Sequence, residues 1–144
     1  MKKILTFAAI AAISFSAFTG CKKSSSSSSY FVKATVNGTP LSLNYGYGIV
    51  NSGIVDIFGF NGSGTSVTFP EITLVSTNSA AGTYTIDGMT VMAAIDSSAT
   101  SAIGAAYGTL TITTSTASVM TGTFSFTCTD STKVTNGSFT VKVN

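Results

Sequence analysis

Beyond Tyr30 the apolar residues recur at every second position, the period of a strand whose side chains point alternately to two faces. In GTLTITT (108–114), Leu110 and Ile112 alternate with Thr109, Thr111 and Thr113. GTFSFTCTD (122–130) sets Phe124, Phe126 and Cys128 opposite Thr123, Ser125, Thr127 and Thr129, and GSFTVKV (137–143) sets Phe139, Val141 and Val143 opposite Ser138, Thr140 and Lys142. LSLNYGYGI (41–49) reads the same way, with Leu41, Leu43, Tyr45, Tyr47 and Ile49 on the inner face and the glycines outside. In SVTFPEITLV (66–75) the phase slips at Pro70-Glu71, and a bulge there is expected to bring Val67 and Phe69 to the same face as Ile72 and Leu74. No stretch of this region has a helical period, although the Ala-rich segment 93–106 leaves room for a short turn.

The strands are separated by turn chemistry. Asn37-Gly38, Asp87-Gly88 and Asn136-Gly137 are dipeptides that reach positive φ in tight hairpins, and Asn61-Gly62-Ser63-Gly64 reads as a longer loop. The pattern predicts an all-β domain over 30–144, an antiparallel meander of about eight to ten short strands forming a β-sandwich or an up-and-down, calycin-like barrel.

The first 29 residues break that pattern. Lys2 and Lys3 precede an uncharged apolar run from Ile4 to Phe18, shorter than the ~20 residues a membrane span needs. Thr19 and Gly20 then lead to Cys21. The arrangement resembles the lipobox of bacterial lipoproteins, with Phe18 where Leu is usual, and implies a signal peptide over 1–20 and a diacylglyceryl group, with palmitate among its acyl chains, on Cys21. Residues 21–29 (CKKSSSSSS) then read as a tether that has no apolar surface to bury.

Charge narrows the function classes. Only 8% of residues are charged, and His and Trp are absent. Arg is absent too, and from Cys21 onward Lys22, Lys23, Lys33, Lys133 and Lys142 balance Asp56, Glu71, Asp87, Asp96 and Asp130. A neutral chain without Arg lacks the footprint that phosphate backbones require, so nucleic acid is set aside as a partner. Without His, the Ser-His-Asp and Cys-His nucleophile arrangements are excluded. Asp87, Asp96 and Asp130 stand beside turn signals and read as turn residues. Neither a calcium loop nor a zinc ligand set is present, so no metal, no cofactor and no catalysis are expected. Cys128 reads as a small core residue. Tyr45, Tyr47, Tyr84 and Tyr107 are the candidate ligand contacts, since a phenol offers both an apolar face and a hydroxyl.

With ATVNG (34–38), GTY (82–84), GTFSFT (122–127) and TNGSF (135–139) in view, the chain resembles small Bacteroidetes-type lipoproteins that carry a domain of unknown function. The resemblance brings no activity and no catalytic residues. It implies an outer-membrane lipoprotein facing the periplasm, and it makes Asp130-Ser131-Thr132 similar to the short O-glycosylation acceptor of those bacteria, with Ser131 the modified residue. The expectation is a lipid-anchored binding or interaction module for a protein, glycan or small apolar ligand; the alternatives are a calycin-like carrier of an apolar ligand and, more remotely, a hydrolase.

Overall fold

The computed structural model describes residues 30–63, 66–98 and 100–144. The leader, Cys21, the tether and Gly64 of the expected loop lie outside the described residues. The domain is all-β, with ten strands: β1 (Phe31–Val36), β2 (Thr39–Leu43), β3 (Tyr45–Asn51), β4 (Ile54–Ser63), β5 (Ser66–Ser76), β6 (Gly82–Ile86), β7 (Val91–Ser98), β8 (Ser101–Ser115), β9 (Val119–Cys128) and β10 (Lys133–Val143). The ring β10-β3-β4-β5-β7-β8-β9 closes into a seven-strand barrel, with β1-β2 and β6 added at its margins.

Two layers of strands face each other across the core, with Gly59 of β4 against Val32 of β1. The broad layer β2-β1-β10-β9-β8-β6 is antiparallel throughout, and the narrow layer β3-β4-β5-β7 is joined to it at two corners. At one, β7 pairs with β8 from Ala94–Gly104 to Ser98–Ser101, so the described part of the Ala-rich segment is strand. At the other, β3 runs parallel to β10, with Tyr47 opposite Lys142 and Gly48 opposite Val143. This parallel seam departs from a plain meander.

Between the layers the core is filled. Leu110, Ile112, Phe124, Phe126, Cys128, Phe139 and Val141 point inward as their alternation predicts, with Thr109, Thr113, Thr123 and Ser125 outward. Aromatic rings fit because glycines face them: Gly122 lies directly across from Phe139, Gly137 across from Phe124 and Gly108 across from Phe126. A Cβ on Gly122 would come within 2.5 Å of the Phe139 ring. Phenylalanine over a cross-strand glycine gives close packing without a void.

Several local expectations are corrected. Leu43 is buried, but Tyr45, Tyr47 and Ile49 face outward and Gly46 and Gly48 face the core. The phase flips at Asn44, where the chain leaves the broad layer for the narrow one; the Asn44 N–H donates to Asn61 Oδ1 (3.0 Å) and the Gly62 N–H donates to Asn44 Oδ1 (3.3 Å). Inward tyrosines would not fit, because a single Cβ on Gly46 already meets Val141 at 3.1 Å. The expected bulge at Pro70 is present, with a cis Phe69-Pro70 peptide and a register shift opposite Gly59–Asn61, but the inward and outward alternation runs through it unbroken. It does not return Val67 and Phe69 to the core, for Val67 is exposed and both line an outer concavity.

The turn dipeptides divide similarly. Asn37 (φ 47°) and Gly38 (φ 83°) make the expected hairpin. Asn136 (φ 51°) sits instead in a bulge inside β10, between Val134 and Gly137. Asp87-Gly88 carries the chain from β6 in one layer to β7 in the other, and these two strands do not pair. Asn61, Gly62 and Ser63 extend β4. The β3–β4 hairpin turns on Ser52-Gly53, with both φ values positive.

Candidate functional site

The outer face of the narrow layer is where chemistry gathers. Because β3 turns its glycines inward, its tyrosines stack on the outward phenylalanines of β4. Tyr45 lies on Phe60 with ring centroids 5.0 Å apart, Tyr47 lies on Phe58 at 4.9 Å, and Tyr47 meets the Phe60 ring edge-on at 5.9 Å. These are favourable aromatic geometries, and they cover Phe60 to 2% exposure although it points away from the core. Tyr45 keeps 37% of its surface exposed.

Beside this cluster Glu71, which alternates with the buried Ile72 and Leu74 of β5, faces outward directly opposite Asp96 of β7. Asp96 was read as a turn residue, and the structure corrects this: it is a strand residue on the face of the narrow layer. Its Oδ1 is buried and has no hydrogen-bond partner among the described residues. Burial, followed by the neighbouring Asp96 charge, pushes the Glu71 carboxyl above its ordinary value, and burial does the same to Asp96. Like charges directly across a ladder repel, so neither carboxylate is there for the stability of the sheet.

Val67 and Phe69 supply an apolar wall, and Ser98 and Thr100 a hydroxyl rim, to a concavity of about 540 Å³ that holds both carboxyls. A second, apolar groove of about 330 Å³ is lined by Thr73, Val75, Met92, Ala94 and Gly104. Asp56, opposite Ile49, completes the acidic side of the face. Burial first, then the charges of Glu71 and Asp56, raises the Tyr47 phenol. Among the described residues no three carboxyl or thiol groups converge as metal ligands.

Of the four candidate tyrosines, only Tyr45 and Tyr47 come together. Tyr84, on β6, donates its hydroxyl to the Ala80 carbonyl at 2.8 Å and packs against Gly82. Tyr107 is 64% exposed on the outer face of the broad layer, beside Thr109, Ser125 and Lys133. Ser131 occupies the exposed tip of the β9–β10 turn with φ 73°, and the carboxylate of Asp130 accepts from the Thr132 N–H and hydroxyl. Asp87 is likewise a turn residue: it accepts from the N–H groups of Met89, Thr90 and Val91 and from the Thr90 hydroxyl.

Sequence reasoning missed Glu71 and Phe69 as site residues. Their signal was the phase slip at Pro70, which marks a place where a strand aims side chains away from the core. Comparison with protein-family models, with curated proteins and with solved structures found no match to this chain.

Proposed function

We propose that the chain is a lipid-anchored protein of the bacterial envelope, held at the outer membrane through Cys21 and facing the periplasm, that binds a hydroxyl-rich ligand such as a glycan in the concavity between Val67 and Asp96. The observation that carries this reading is the pairing of Glu71 and Asp96, with an unsatisfied buried oxygen, against the apolar wall of Val67 and Phe69. A sugar ring is amphipathic in the same way. Its C–H face packs on an aromatic wall, and its hydroxyls donate to carboxylates that have free acceptor capacity. The packed interior, in which a Cβ on Gly59 would come within 2.4 Å of Val32, argues against carriage of an apolar ligand inside the barrel.

The test is titration of the protein with envelope oligosaccharides, followed by NMR or calorimetry. Hydrogen bonds to charged groups contribute about 1.5–3 kcal/mol, so Glu71→Gln or Asp96→Asn is expected to weaken binding about tenfold or more. Variants that bind as well as the parent protein would refute the site. A second reading, glycoside hydrolysis, is favoured by the same pair, because retaining enzymes place two carboxyls close together. Release of reducing ends by the parent protein, abolished in Glu71→Gln, separates catalysis from binding.

A further inference from the structure

We infer that the corner where β1, β10 and β3 meet lies against the phospholipid headgroups, so that the protein docks on its membrane in one orientation instead of swinging freely from its anchor. This inference rests on the lipid-anchored reading.

The argument starts from where the described chain begins. β1 occupies the edge of β10 up to the pair Phe31–Thr140, and beyond it β3 takes over the same edge at Lys142. Tyr30 therefore leaves the domain at this seam, and the backbone of Phe31 runs so close to Gly46 that a Cβ there would meet it at 3.3 Å. The interval from Cys21 to Tyr30 spans at most ~30 Å when fully extended and averages nearer ~15 Å. β9 and β10 are themselves about that length, since each residue advances ~3.3 Å. The seam is thus the part of the domain that the tether holds near the bilayer.

The side chains at the seam are those that favour a membrane interface. Tyr45 and Ile49 point outward from β3 with 37% and 42% of their surfaces exposed. Lys142 stands directly across from Tyr47, and Lys33 holds its ammonium 4.7 Å from the centre of the Phe31 ring. Aromatic residues with an apolar body and a polar tip settle at headgroup level, and lysines beside them meet anionic lipid. Asp56 lies across from Ile49, and Glu71 is near enough for its charge to act on Tyr47, so these two carboxyls form the acidic margin of the patch. The concavity that Glu71 shares with Asp96 extends from that margin toward β7.

The chain contains no Trp, so single substitutions report position without background. The processed, lipidated chain is reconstituted in vesicles of phosphatidylethanolamine and phosphatidylglycerol carrying a quencher near the top of the acyl chains. Tyr45→Trp is expected to emit at shorter wavelength than in detergent and to be quenched at least twofold more than Tyr107→Trp, which sits on the opposite layer. Adding Lys142→Glu to Tyr45→Trp is expected to reduce that quenching while the protein still floats with the vesicles. Flotation with equal quenching at the two positions overturns the docking and leaves the anchor intact. Failure of the parent chain to float overturns the anchor, and the docking with it.

Discussion

Glu71 and Asp96 face each other across two strands, and the cost of that arrangement is measurable. Both carboxyls are raised, so the native state holds their protons more tightly than the unfolded chain does. Their contribution is most favourable below the unfolded value of about 4 and is lost as pH rises through the folded values. Glu71→Gln is therefore expected to stabilise the protein at pH 7 by about 0.2–1 kcal/mol, nearer the lower end for a solvent-screened pair, and to change nothing near pH 3. Urea denaturation at the two pH values checks this. Asp87 has the opposite sign: the Thr90 hydroxyl and the N–H groups of Met89, Thr90 and Val91 hold it well below the usual carboxylate range. Its stabilisation is present at neutral pH and is lost as pH falls, so Asp87→Ala should lower the melting temperature at pH 7 and converge on the parent protein in acid. Cys128 is buried, and burial followed by the Asp130 charge raises its thiol. It is expected to stay unreactive to a thiol reagent until urea unfolds the barrel.

The strands divide into those whose faces can be read from the chain and those that cannot. GTLTITT, GTFSFTC and GSFTVKV declare themselves, because threonine on one face and phenylalanine or isoleucine on the other leave a single assignment. YGYGI offers no such asymmetry: tyrosine tolerates either side, and glycine suits an inner position when two backbones must come close. What decides is the crowding of Val141 and Phe31 at the seam, a tertiary fact absent from local sequence. Pro70 and Glu71 were legible as a slip but not as an aim, since alternation marks a break in phase without saying which half stays inside. The Phe–Gly pairs give the element scale its own prediction. Gly122→Ala would drive a methyl against the Thr111 carbonyl oxygen at 2.2 Å and the Phe139 ring, so a loss of about 1–3 kcal/mol or more is expected in denaturant melts. Gly104→Ala, with open space around its Cβ, should be nearly neutral.

At the scale of the whole molecule, strand number and class follow from spacing and turn residues, whereas ring closure does not. Hairpin neighbours are written in short-range turn signals, but β10 beside β1, β3 beside β10 and β6 beside β8 join segments that no local signal links. Removing Lys142 to Asn144 deletes the parallel pairs with Tyr47 and Gly48 and the bond from the Asn144 N–H to the Gly48 carbonyl. Hydrogen exchange is then expected to quicken in β3 while the β8–β9 hairpin stays protected. That seam also sets an order of events. The ribosome makes β3 before the other strands of the ring and β10 after them, yet Tyr47 must find Lys142 before the ring can close. A chain whose earliest strand waits for its final one has no finished barrel to present while it is being synthesised, and pairings this distant make folding slow. Delay of that kind fits the proposed export of the chain to the envelope, which would require it to be still threadable at a translocation pore.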